Sequence, residues 1–326
     1  RRLIEVLINI TLLGLLVMIA VAAIVLSDLF AVVMLFGVYS LLTAVLFMNM
    51  DAVDVAFTEA AVGAGVTTVL MLSSLHLTKR WEAQPRRSPL LGLLVVLVTG
   101  AALVYAFQDA PLHGDPSAPV HHHVSPRYIE QGATEVGMPN LVTAVLASYR
   151  GYDTFGETVV IFTAGLAVLL LLGIKDDPSM RPGVSAIGDQ VVLRSVVKVL
   201  LPLILLFGLY VQFHGDFGAG GGFQAGVIFA TAFVLYDLVF GDGSARAVVP
   251  PRWLHRLAAI GVLIYGGVGV YSLLAGKAFL DYSALATDPV HGQHLGVLLV
   301  ELGVGIAVFS VVLLIFYAFA GRARRR

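Results

Sequence analysis

The sequence predicts an all-α fold, a polytopic membrane bundle of about nine transmembrane helices grouped 3 + 2 + 4. Three observations carry that expectation. Of 326 residues, 58% are hydrophobic and only 13% charged, about half the roughly 25% charge of a soluble domain. The apolar residues gather into runs near the ~20 residues that a bilayer core of roughly 30 Å demands. Lipid offers a spanning backbone no way to satisfy its polar groups except a helix or a closed barrel, and runs of this length are helical.

The runs follow in order. The first three cover residues 3–26, 29–48 and 53–75, separated by the short breaks Ser27-Asp28 and 49–51, so they are antiparallel neighbours. A fourth covers 90–107 and a fifth 154–174. Between these two lies a polar loop, 108–138, with Pro111, Pro116, Pro119 and Pro126, and Pro139 just beyond it; this segment does not span. Four more runs cover 191–213, 223–240, 253–275 and 294–320. The expected domains are 1–80, 81–180 and 181–326.

Lys and Arg in short loops set orientation. Four clusters occur: Lys79, Arg80, Arg86 and Arg87; Lys175, Arg181 and Arg194; Arg246, Arg252 and Arg256; and the arginines of 322–326. Nine alternating spans put all four on one side, expected to be the cytoplasm. The C-terminus is then cytoplasmic, the 108–138 loop outside and the N-terminus outside, with Arg1 and Arg2 running against the rule.

Composition also excludes. Twenty Lys+Arg against 21 Asp+Glu give a net charge of −1, without the basic excess that nucleic-acid binding needs. The absence of Cys removes disulfides, Cys-ligated clusters and thiol nucleophiles. No Ser-His-Asp order, HExxH or convincing carboxylate pair marks a hydrolase, so no catalytic residues, metal ligands or bound cofactor are expected. His121, His122 and His123 sit among prolines and read as a solvated loop.

Ionisable residues inside a span are functional candidates because burying charge there is costly. Glu59 lies too deep to cap its helix, whether Asp51 or Asp54 does so, and reads as a proton carrier or as a protonated carboxyl bonded to a neighbouring helix. Glu157 reads either as a site residue or as the partner of Thr154 in a capping box. Lys198 either snorkels to the surface or is buried and serves ion translocation together with Glu301. Glu301 has no basic residue close in sequence, so its partner must come from another helix or another protein of the assembly. Asp237 reads as an interface residue. Gly63 and Gly65, with Thr67 and Thr68, suit either a bulge that hydroxyls can stitch or close helix packing. The stretch 214–223 lacks a preceding strand and a terminal Gly-Lys-Ser/Thr, so it is a flexible turn rather than a nucleotide loop; His214 and Asp216 could line a place where ions enter.

Three strings resemble one family. DAVDVAFTEAAVGAGVTTVLML is similar to the C-terminal domain of the large A-type subunit of Mrp-type multisubunit Na+/H+ antiporters, also found as the D-type subunit of membrane-bound hydrogenases. PNLVTAVLASYRGYDTFGETVV resembles the E-type hydrogenase domain. The string from VLRSVVKVLL to the last span resembles the B-type antiporter subunit. The resemblance implies a π-bulge in the third helix, and ion-transfer roles for Glu59 and Glu157. It also implies Na+ and H+ as transported ions and residence in a bacterial or archaeal cytoplasmic membrane. The expected partners are the lipid bilayer, a large antiporter-like subunit of A or D type, and small subunits of C, E, F and G type. The alternatives are a membrane subunit of a hydrogenase or related respiratory complex, and a passive scaffold.

Overall fold

The structure is a computed structural model that describes residues 2–75, 77–83, 89–112, 114–174, 190–241 and 243–323. Arg1, and Arg86, Arg87, Lys175, Arg181, Arg324, Arg325 and Arg326 of the basic clusters, lie outside these residues. Nine described helices are long and apolar enough to cross a membrane: α1 Arg2–Val25, α2 Leu29–Asn49, α3 Val53–Leu75, α4 Pro89–Phe107, α5 Gly151–Leu172, α6 Val191–His214, α7 Gly222–Phe240, α8 Pro251–Leu274 and α9 Pro289–Ala323. Among the described residues the only extended pairing is the bridge between Asp28 and Trp81. The all-α membrane bundle is therefore present, and the apolar runs give most helix ends to within a few residues.

Local chemistry explains where helices start. Asp28 caps α2 by accepting from the Phe30 amide, and its carboxylate also holds Arg80 at 2.7 Å. Neither expected carboxylate caps α3. Its cap position is Ala52, without a side-chain bond, while Asp51 sits in the turn at φ 58° and Asp54 lies in the first helical turn. Within α3, residues Ala60–Thr67 form a π-helix. Two glycines lower helix propensity there, and the Thr68 hydroxyl donates to the Gly63 carbonyl five residues back, closing the widened turn.

The 108–138 loop holds a 3-10 turn, Pro119–His121, and an amphipathic helix, Ser125–Glu135. Asn140 then caps a short helix, Leu141–Thr143, that continues into a second π segment, Ala144–Tyr149. Helix α5 follows at once from Gly151, so the capping-box reading of Thr154 and Glu157 fails. Thr154 lies inside the helix and its hydroxyl donates to Leu146 O at 2.8 Å.

Helix α9, 35 residues long, is the central column, packed against α8, α7, α5 and α3. Small residues allow backbone contact, the usual basis of helix association in lipid. A Cβ on Gly222 would fall 1.9 Å from Glu301 O, one on Gly226 2.6 Å from Gly305 O, and one on Gly261 2.5 Å from Gly303 O. Buried tyrosines add directed bonds. Tyr265 donates to Gly151 O and Tyr282 to Ala147 O, each worth about 1 kcal/mol as a neutral hydrogen bond. Helix α4 is exposed along nearly all of its length, and α1 packs chiefly against α2.

Candidate functional site

One end of the bundle gathers the starts of α3, α5, α7 and α9 with the end of α6. There, a cavity of about 280 Å³ carries three carboxylates, Asp54, Glu157 and Glu301, with Thr58, Thr154 and Gln224 among its polar lining. No Lys or Arg lines it. A larger apolar groove, about 500 Å³, lies between α2–α3 and α6; it holds no carboxylate and is not the site.

The glycine-rich turn after α6 builds the cavity floor. The Gly222 N–H, at the start of α7, donates to the Glu301 carboxylate, so the partner that sequence could not name is a backbone amide at a helix N-terminus, where negative charge is favoured. Gly221 has φ 135°, and a side chain there would begin 2.6 Å from Glu301 Oε2. Both conditions demand glycine. The sequence suggested a flexible turn; the structure holds it in place. Asn140 is buried and donates to Gly215 O at 3.0 Å and Gly218 O at 2.8 Å, with a longer contact of 3.4 Å to Asp54 Oδ1. Thr143 adds a bond to Gly215 O at 2.7 Å, and Gln224 reaches Thr58 at 2.9 Å. Asp54, Asn140 and the turn thus tie the three sequence regions together. Sequence reasoning named Asp54 only as a candidate helix cap and did not single out Asn140, which does cap its helix.

Glu59 is half-buried beside the π segment of α3. Its carboxylate lies over Gly63: a Cβ there would fall 2.6 Å from Glu59 Oε1 and 2.5 Å from Ser40 Oγ of α2. Gly65 and Thr67 lie in the same π segment. Glu157 is exposed on α5 but lines the cavity with Glu301. Lys198 is exposed on the outer side of α6, away from that cavity. His214 stacks on Tyr210 in the apolar groove, whereas Asp216 meets His294 Nδ1 at 3.2 Å. The two residues thus have different surroundings, His214 the apolar groove and Asp216 the start of α9. Asp237 is buried and accepts from the Gly243 and Ala245 amides at 2.9 Å, which makes it a cap for the following turn.

Outside the spans, Tyr149 closes the second π segment. Its hydroxyl donates to Glu135, which Arg127 also binds. Burial, then the Glu135 carboxylate, pushes the Tyr149 phenol up to about 12; the Tyr149 hydroxyl and Arg127 hold Glu135 below its usual value. Among the described residues, no group of three His, Asp or Glu side chains converges closely enough to hold a metal ion.

Residues 14–80 match the MbhD family, the D-type subunit of MBH, and residues 89–188 match the MbhE family, its E-type subunit. Residues 192–314 match the domain related to the MnhB subunit of Na+/H+ antiporter. A probable K+/H+ antiporter protein of combined A/B type from Rhizobium meliloti (strain 1021) is 26% identical, aligned over 90% of this chain and 32% of its own length. The chain thus spans about a third of that relative. The mnhB2 antiporter protein of Staphylococcus haemolyticus (strain JCSC1435) is 35% identical over 41% of this chain and 96% of its own length. The solved structure of the Mrp complex from Dietzia sp. DQ12-45-1b superposes with TM-score 0.78 at 28% identity, covering 96% of this chain and 35% of that one. The membrane-bound sulfane sulfur reductase, an archaeal respiratory membrane complex, superposes with TM-score 0.56 at 29% identity, covering 71% of this chain and 97% of that one. The chain belongs to the Mrp antiporter family of membrane subunits and carries regions matching MbhD, MbhE and MnhB in one polypeptide.

Proposed function

We propose that the chain is a membrane subunit of a multisubunit cation/proton antiporter, exchanging Na+ for H+, in which Glu301, Glu157 and Asp54 form one station of the ion path and Glu59 another. The observation that carries this reading is the convergence of three carboxylates on a cavity without a Lys or Arg. Such a cavity is electrostatically incomplete until protons or cations enter it. Glu59 lies beside a π segment, a feature frequent at functional sites, and the two stations share helix α3. Lys198 would face a neighbouring protein or the lipid boundary. The reading divides the chain at 1–80, 81–180 and 181–326. It places the basic ends of the helices in the cytoplasm, and it needs no bound cofactor. The partners would be a large antiporter subunit of A or D type and small subunits of C, E, F and G type.

The test is antiport by the assembled complex in everted vesicles. Glu301→Gln keeps an acceptor for the Gly222 amide but removes the exchangeable proton, so exchange should fall to background while the complex still assembles; Glu59→Gln should do the same. Wild-type exchange in both variants overturns the proposal. If neutralising all four carboxylates alters assembly alone, the chain is a scaffold. The likeness to an archaeal respiratory complex supports a second reading, the same module in a redox-driven pump. A mass-spectrometric inventory of the complex decides between them, because a redox pump must contain chains with metal-ligating cysteines.

A further inference from the structure

The Asp216–His294 contact was not legible in the sequence, and it lies beside the cavity. Asp216 belongs to the glycine turn, where its carbonyl accepts from the Asn140 amide at 3.1 Å. His294 lies near the start of α9, about two turns before Glu301. The two side chains are 26% and 35% exposed, so solvent reaches the pair without surrounding it. Asp216 and Asp54 are the carboxylates whose charges reach Glu301. Gly137, at φ 80°, packs against the same turn of α9: a Cβ there would fall 3.5 Å from His294 Nε2.

We propose that Asp216 and His294 form a gate at this end of the path to Glu301, a reading that rests on the antiporter function proposed above. With the imidazole neutral, the Asp216 carboxylate keeps its full charge and draws a cation toward the cavity. With the imidazole protonated, the pair neutralises itself and that draw is lost. Imidazole is suited to this because it is the side chain whose charge changes most readily under physiological conditions.

Most of the other titratable groups around the pair have partners of their own. On the loop side, Glu135 is engaged by Arg127 and Tyr149. On the turn before α9, Asp281 is engaged by Ser283, and Tyr282 donates to Ala147. On α9 itself, Asp288 contacts the amides of Val290 and His291, His291 is exposed, and Glu301 holds the Gly222 amide. On the glycine turn, His214 stacks on Tyr210. On α3, Asp54 contacts Asn140 and the Gly220 amide. Asp216 is the acid that His294 contacts.

The test uses the purified complex in proteoliposomes, with Na+/H+ exchange measured between pH 7.5 and 5.5 on either face. The ratio of His294→Gln to wild-type exchange should rise several-fold as the pH falls from 7.5 to 5.5, because the variant has no imidazole to protonate. It should respond to the pH of the face that carries the 108–138 loop. His294→Lys, permanently charged, should stay low at both values. If His294→Gln does not assemble, Asp216→Asn reads the same gate: its exchange should need more Na+ for half-saturation and lose the pH step. Parallel profiles for wild type and the gate variants, with Glu301→Gln inactive, refute the gate and leave the antiporter reading intact. Full exchange in Glu301→Gln refutes the path, and the gate with it.

Discussion

Adding one methyl group at Gly222 tests the central crossing most directly. A Cβ there would start 1.9 Å from the Glu301 carbonyl oxygen, whereas ordinary contact begins near 3.4 Å. The obstacle is backbone, so no rotamer change relieves it, and α7 must retreat from α9 by about 1.5 Å. That movement breaks the Gly222–Glu301 bond. A hydrogen bond to a charged group is worth about 1.5–3 kcal/mol, and a misplacement near 1 Å can cost about a hundredfold in rate. Where space is free, Gly→Ala in a helix gains up to about 1 kcal/mol, so the sign of the change is itself diagnostic. Gly267 of α8 is the control, because nothing lies within 4 Å of its Cβ position. Thermal unfolding of the detergent-solubilised complex, read by size exclusion, and Na+/H+ exchange should both deteriorate in Gly222→Ala and remain unchanged or improve in Gly267→Ala. A Gly222→Ala complex as stable and active as wild type would show that the crossing is looser than described and that Glu301 does not depend on it.

Two further perturbations test other contacts. Gly63→Ala meets Ser40 Oγ and Glu59 Oε1, which can rotate away, and Ser40 Cβ at 2.8 Å, which cannot, so α2 must yield slightly; exchange should fall at least tenfold through displacement of Glu59, with a smaller fall in melting temperature than Gly222→Ala, whose obstacle is backbone, and an equal or larger loss of stability would contradict this. At the α1–α2 turn, Arg80 holds the Asp28 carboxyl below its ordinary 3.8. Because the folded value is depressed, the contribution of this pair is complete above 3.8 and disappears as pH falls through the folded value. Exchange of the Leu29 and Glu82 amides, which bond to Arg80 O and Ser27 O, should therefore be slow at pH 7 in wild type and fast in Asp28→Asn. Equal protection in the two proteins would remove the ion pair from the account.

Much of the architecture was legible because a membrane span is a one-dimensional property: length and apolarity specify it, and Pro, Gly and charge end it. The third helix shows how far local signals extend. Its glycines and threonines allowed a π segment, but packing offered an equally good account until the fold resolved it. The second π segment, Ala144–Tyr149, has no comparable signal, since its pattern looks like any short apolar helix. Glu301 and Asp54 mark the boundary. Sequence could say that Glu301 needed a partner, yet a backbone amide has no letter of its own. Asp54 looked like a cap because its neighbours in the chain were visible and Asn140 and Gly220, distant in the chain, were not.

The column at the centre of the bundle constrains how such a protein can work. Transporters that rock one half against the other need a seam along which two rigid bodies slide. Here α9 meets α7 at Gly222 and Gly226 and α8 at Gly261 and Gly303 through main-chain atoms, so sliding along either face would drive peptide groups into one another. If ions pass through this protein as proposed, they would travel through a standing frame, handed between side chains and water, and any large mechanical stroke would belong to another part of the assembly.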